Sequence, residues 1–305
     1  MVPHSNDTCI VKESDVINPW KEVYYRLKRF HTMQRIGAGF ARAAAVRAMQ
    51  PIDPSDPATW EVSGLSQNGE DGITDFLTRQ VRDPNRYFVE IGASDGTENN
   101  SSWLAVARRW RGLMVEGDPA KADYCKFLMG GLAVGVEVEN RFVTRESIAE
   151  LYGRFETPNP DFFSLDIDGI DWHIASALLD LGFRPKIFVV EYNSCFGPER
   201  AITIPYRPDF NFQIAHPTNL YYGVSIRAWR KLLESHGYRF VTVETNGVNA
   251  FFVLPEFFKH TLFVGLKSRE FEDNFYQRTR HAGSWQKQFP LIEHLPFVDV
   301  AGVSP

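Results

Sequence analysis

The sequence predicts an α/β fold: a doubly wound, mostly parallel seven-stranded sheet, closed by an antiparallel hairpin and preceded by a helical extension. Three observations carry this. Five short runs, YFVEI (87–91), GLMVE (112–116), GLAVGVEV (131–138), DFFSLDI (161–167) and KIFVVEY (186–192), are rich in Val, Ile, Leu and Phe, as strands buried on both faces should be. A helix-compatible segment follows each, at about 97–109, 119–129, 146–155, 171–182 and 225–236, and repeated strand–helix units build a parallel sheet covered on both sides. Two last strands, 238–243 and 249–254, flank Asn246-Gly247, a hairpin turn signal.

Taken in order, residues 1–60 read as an extension and linker, 61–265 as the sheet domain and 266–305 as a tail of weak periodicity. The start, MVPHSNDTC, lacks the basic segment and apolar core of a secretory signal, and no apolar run is long enough to span a bilayer. Cys9, Cys125 and Cys195 form neither a disulfide framework nor a zinc-ligand spacing. Both features fit a cytoplasmic protein. In residues 20–49, Trp20, Val23, Tyr24, Leu27 and Phe30 recur at helical spacing and predict an amphipathic helix, with a break at Gly37 and Gly39. Pro51, Pro54 and Pro57 end it.

Residues 20–50 carry seven Lys/Arg against one acid, so in a chain of net charge −5 this segment is +6 and the remainder −11. An acidic body without further basic blocks argues against nucleic-acid binding, whose affinity comes mostly from phosphate neutralisation. The basic helix therefore packs on its own domain or a second subunit, or touches an acidic membrane from the cytoplasmic side.

At the end of the first strand, FVEIGASDG places Glu90, Gly92, Asp95 and Gly96 in an E-x-G-x-x-x-G turn leading to a helix. Glycine lets the backbone approach a ligand, and a helix amino terminus offers free N–H groups. Ser94 stands where a dinucleotide turn needs its second glycine, which disfavours a pyrophosphate cofactor. Glu116 ends the second strand twenty residues beyond Gly96, the distance at which an acid accepts from ribose hydroxyls; alternatively Glu116 and Asp118 cap the helix that begins at Pro119.

The glycine turn, the acid ending strand two, five parallel strands and a terminal hairpin resemble a class I S-adenosylmethionine-dependent methyltransferase. SQNGED (66–71), FVEIGASDG, LDIDGIDW and VEYNSCFGP further resemble the FkbM-like methyltransferases of sugar and polysaccharide biosynthesis, over residues 64–255. The resemblance implies a Rossmann-like fold, S-adenosyl-L-methionine as cofactor and a sugar or glycan hydroxyl as methyl acceptor. It assigns Glu90, Gly92 and Gly96 to the methionine part, Glu116 to the ribose and Asn140 to the neighbourhood of the adenine, with Asp95 and Asp118 as further cofactor contacts. Gln67 and Asn68 then face cofactor or acceptor, with Tyr192 of the last motif beside the acceptor.

The fourth strand raises a separate question, because Asp166, Asp168 and Asp171 crowd its end. Two carboxylates about 4 Å apart repel by roughly 4 kcal/mol at an effective dielectric near 20, so the cluster needs a cation, a shared proton or a helix terminus. Strand ends converge in such a sheet, which brings Asp166 and Asp168 towards Glu191 and Asn193. Four oxygen-bearing side chains suit Mg²⁺ or another divalent ion. The competing reading makes Asp171 a helix cap, Asp168 a turn former and Asp166 a cofactor contact. Without a metal the acceptor hydroxyl needs a base, for which Asp168, His173 and His216 are candidates.

Residues 194–222 form a long segment with four prolines and six Phe/Tyr, a length usual for functional loops. Arg200 or Arg207 on it would hold a phosphate or carboxylate. Two other classes compete: an NAD-dependent sugar oxidoreductase, which the missing glycine disfavours, and a non-catalytic scaffold with a residual cofactor fold.

Overall fold

The computed structural model describes residues 19–281, 283–300 and 302. Cys9 and the amino-terminal stretch read above lie outside the described residues, as do the side chains of 19–22, Trp20 among them. In chain order the elements are α1 (Pro19–Met49), α2 (Glu70–Gln80), β1 (Tyr87–Ile91), α3 (Ser102–Val106), β2 (Arg111–Glu116), α4 (Pro119–Leu132), β3 (Val136–Asn140), α5 (Ile148–Tyr152) and β4 (Phe162–Leu165). There follow α6 (Asp171–Asp180), β5 (Ile187–Glu191), β6 (Ile202–Thr203), α7 (Phe212–Ala215), α8 (Ile226–Ser235), β7 (Arg239–Val243), β8 (Asn249–Val253), α9 (Phe275–His281), α10 (Trp285–Gln288) and β9 (Val298–Asp299).

Successive strand residues point to opposite faces, and both faces are apolar, so each strand feeds two cores. Val89, Ile91, Val115 and Leu165 join Ile174, Leu178 and Trp229 of α6 and α8 on one side. Phe88, Met114, Phe162 and Val189 join Ile73, Leu104 and Leu128 of α2, α3 and α4 on the other. The sheet runs β3-β2-β1-β4-β5-β8-β7; the first five strands are parallel, and β8 is antiparallel to both β5 and β7. The expected doubly wound, mostly parallel seven-stranded sheet is the observed one. Its order reverses direction between β1 and β4, which opens a crevice at the carboxyl ends of the strands.

Several boundaries differ from expectation. Residues 131 and 132 belong to α4, which runs on through Gly130 and Gly131, and β3 starts only after the positive-φ Gly135. The helix after β1 is a single turn within 97–109, since residues 97–101 are tied down by side-chain hydrogen bonds. The tail is built into the domain: β9 pairs with β6, and Phe289, Ile292 and Val300 are buried.

Helix α1 is continuous, without a break at Gly37 or Gly39. Gly39 marks a close approach instead, since a Cβ there would lie 2.2 Å from the Gly64 carbonyl oxygen. The buried face is Thr32, Ile36 and Ala43, with Phe40 stacked on Trp103, whereas Val23, Tyr24, Leu27 and Phe30 are exposed. The apolar spacing found the helix but not the side that packs. The basic residues hold it in place: Lys28 on Asp95 (2.8 Å), Arg35 on Glu98 and the Thr97 carbonyl (2.8 Å each), Arg42 on the Ser63 carbonyl and Arg47 on the Thr59 and Trp60 carbonyls. Among the described residues no helix is long and apolar enough to cross a membrane.

Candidate active site

The crevice is a cleft of about 630 Å³ above the ends of β1, β2, β4 and β5. Its floor is the glycine turn. Gly92 has φ 95°, and a Cβ on it would sit 1.6 Å from the Asp166 carbonyl oxygen, so β1 and β4 can leave the sheet side by side only with glycine there. Ser94, at φ 50°, donates its N–H to Glu116 Oε2 (2.7 Å), and the Asp118 N–H donates to Glu116 Oε1 (2.7 Å). Two backbone donors thus fix the Glu116 carboxylate on the cleft wall. Asp118 also lines the cleft while capping α4, accepting from the Ala120 and Lys121 N–H groups. Asn140 is not on the lining; it braces the turn by donating to the Glu116 and Gly117 carbonyls.

The rest of the turn has structural duties. Gly96 faces α4, where a Cβ would press on Cys125 Sγ and Met129 Cε at 3.0 Å, so it is not a cleft residue. Nor is Asp95. Burial raises its carboxyl, but the Lys28 ion pair and Thr97 hydrogen bonds outweigh that and hold it below its ordinary value. Glu90 does line the cleft, with its oxygens accepting from Asn99 Nδ2 (2.6 Å), the Asn100 N–H (2.8 Å) and both the N–H and hydroxyl of Ser101. Burial nevertheless pushes its carboxyl up to about 7.

The aspartate cluster separates into two parts. Asp171, the first residue of α6, turns back to accept from the Ile167 and Gly169 N–H groups (2.9 and 2.8 Å), so it shapes the turn. Asp166, Asp168 and Glu191 meet, with their carboxylate oxygens within 4.8 Å of one another. Asp166 and Asp168 both lie beyond the strand, since β4 ends at Leu165, and Asp168 reaches the group through a left-handed backbone at φ 53°. Burial, then the neighbouring carboxylates, raises Asp166 and Glu191 well above the ordinary range. Burial and Asp171 push Asp168 up to about 6. Tyr222 adds a hydroxyl donor to Glu191 Oε1 (3.2 Å).

Asn193 is not the fourth member. Its Nδ2 donates to the Leu220 and Tyr222 carbonyls, and its Oδ1 accepts from the Cys195 N–H and Gln277 Nε2, which uses the side chain fully in anchoring the long segment and the tail. His173 is likewise excluded as a base: its Nε2–H donates to the Ile204 carbonyl (3.0 Å) away from the cleft, and burial lowers its pKa. Tyr192 is buried with its hydroxyl on the Glu272 carbonyl, and His216 bonds Thr218, neither of them on the lining. Arg207 is exposed and paired with Asp209 (3.1 Å), and Arg200 stacks over Phe289 (3.9 Å). Asn68 is buried, tying Glu70 to Asn246 and Tyr276, which leaves only Gln67 of that pair on the cleft.

Sequence reasoning missed the wall next to Glu116, made by Lys121, Arg141, Phe142 and Val143. Phe142 is 58% exposed, two residues beyond the end of β3, and no motif in the sequence marks it. It also missed Asn100, whose Nδ2 links Ser164 Oγ and Asn249 Oδ1 beneath the cleft. The long segment contributes Phe210, Asn211 and Phe212 as a roof, with Phe210 resting on Gly169.

No family model matches the chain, and no curated protein does. Solved structures of methyltransferases do. The O-methyltransferase from Bacillus cereus in complex with SAH is 17% identical over 72% of this chain and 89% of its own, with a TM-score of 0.41. The O-methyltransferase TomG from Streptomyces achromogenes, in complex with SAM, is 19% identical over 70% and 87%, with a TM-score of 0.40. The Methanococcus jannaschii fibrillarin pre-rRNA processing protein is 14% identical over 55% of this chain, which spans 65% of that protein's length, with a TM-score of 0.37. The fold assignment rests on strand order and register, and likeness at this level adds nothing to it.

Proposed function

We propose that the chain is an S-adenosylmethionine-dependent O-methyltransferase of the FkbM-like kind, acting on a hydroxyl of a sugar or glycan. The observation that carries the cofactor is Glu116, held by two backbone N–H groups opposite the Gly92 turn with no second glycine to admit a pyrophosphate. A cleft of about 630 Å³ suits a nucleoside-sized ligand. Glu116 would accept from the ribose hydroxyls, Phe142 and Val143 would offer the base an apolar wall, and Gly92 would let the amino-acid part lie against the backbone. The cofactor, when bound, supplies a methyl group on a positively charged sulfur.

The acidic group at β4 and β5 supports the acceptor half of the reading. Asp166 and Glu191, buried side by side among like charges, would share a proton, which leaves Asp168 to take the proton of the acceptor hydroxyl. The same three carboxylates are an all-oxygen donor set of the kind that suits Mg²⁺, which would lower the pKa of the hydroxyl instead. The sugar assignment rests on the four quoted motifs and on the polar cleft roofed by Phe210 and Phe212.

Calorimetric titration with S-adenosylmethionine, with and without a chelator, tests the reading. Saturable binding that Glu116→Ala weakens by tenfold or more is expected; a folded protein that binds none of it would end the methyltransferase assignment. Methyl transfer to sugar acceptors that survives the chelator assigns the proton to Asp168, and loss restored by Mg²⁺ assigns the trio to an ion.

A further inference from the structure

The exposed face of α1 has an internal order that its docking on the domain does not use. Positions 23, 27, 30, 34, 37, 41, 44 and 48 repeat at alternating steps of four and three, the seam spacing of a helix that packs against another helix. Every described residue on this seam is exposed, and so are the adjoining positions 24, 31, 38 and 45. None of the twelve carries a charge apart from a titratable His31. The seam is graded in size: Val23, Tyr24, Leu27 and Phe30 are 47%, 59%, 67% and 65% exposed, while beyond Gln34 it holds only glycine and alanine.

We propose that α1 pairs with the α1 of a second copy of this chain, antiparallel and two-fold symmetric. In that arrangement one register satisfies the whole seam at once: Val23 lies over Ala48, Leu27 over Ala44, Phe30 over Ala41 and Gln34 over Gly37. Each large side chain of one helix meets a small one of the other, and the two-fold axis repeats the same four pairs, as an isologous contact requires. A parallel pairing would set Leu27 and Phe30 against themselves and leave the alanine half loosely filled. The two domains then sit on the outer sides of the helix pair, because the seam lies opposite the buried face formed by Thr32, Ile36 and Ala43.

Area and charge favour this occupant over a lipid surface. The four large side chains expose on the order of 400 Å² per chain, within the size at which an apolar patch marks an interaction site. Covered in both copies, together with the small faces they meet, they would remove on the order of 1,200 Å², enough for a stable pair. A membrane-surface helix keeps Lys and Arg free beside its apolar stripe. Here, of the six described Lys and Arg of the helix, Lys28, Arg35, Arg42 and Arg47 are spent on the helix's own domain and Arg29 lies over the Phe127 ring.

Sedimentation of the full chain across low to high micromolar concentration tests the proposal. A dimer is expected, and Leu27→Glu with Phe30→Glu should make it a monomer with unchanged circular dichroism, since both side chains are already in water. The register is read by disulfide formation on a Cys9→Ser background. Leu27→Cys and Ala44→Cys chains should cross-link when mixed, while Leu27→Cys alone should not, its two copies being roughly 25 Å apart along the pair. A monomer at every concentration, a dimer indifferent to the double glutamate variant, or self-linking of Leu27→Cys would each overturn the proposal. So would a monomer that pellets with vesicles of one-third phosphatidylserine in phosphatidylcholine.

Discussion

The glycine at 92 was legible as a residue the turn requires, but its reason was not. Sequence pattern suggested room for a ligand, whereas the 1.6 Å approach to the Asp166 carbonyl shows that it first makes room for β4. The same holds for the acids: Glu116 was readable from its distance to the turn, while Asn193 and His173 gave no sign that buried carbonyls already occupied them. A side chain's partners come from other strands, and one chain position does not name them. Asp161 and Lys186 were not singled out at all, yet their ion pair (2.7 Å) is 0% and 6% exposed. Lys186→Met should cost about 3–5 kcal/mol in chemical denaturation, because it strands a buried carboxylate, and adding Asp161→Asn should recover much of that loss. Equal instability of single and double variants would show that the pair's charges do not matter.

Among elements, the strands with apolar residues on both faces were placed to within a few residues, and the helix ends less well. Helix α1 shows why. Its apolar spacing marks one face, its glycine and basic residues another, and the second is the one that docks, through the Gly39–Gly64 approach and four Lys/Arg anchors. Gly39→Leu should push the helix off the domain, since its Cβ alone would come within 2.2 Å of a backbone oxygen. Faster proteolysis in the 50–60 linker, with the main melting transition of the sheet domain retained, is the expected result. Unchanged proteolysis would mean that the charged anchors suffice without the close contact.

The whole molecule carries several carboxyls that burial lifts out of their ordinary range: Asp71 to about 6, Glu90 to about 7 and Glu244 to about 8. Their unfolded values lie near 4, so the folded protein holds protons that the unfolded chain has released. Their contribution is therefore full below about pH 4 and is lost as pH rises from there through about 8. Thermal melting should fall between pH 5.5 and 8.5, and Glu244→Gln should flatten the upper part of that decline; a melting temperature that rises over this range contradicts the assignment. By itself the sequence determined the architecture, since alternation of doubly apolar strands with helices leaves one economical sheet, and it determined the glycine turn and the acid ending the second strand. Only the tertiary structure decided which polar groups face the cleft, which face of α1 is left open, and that Asn193 stays out of the acidic group. Local pattern sets what a segment can become, but hydrogen-bond partners and exposure depend on segments far apart in the chain.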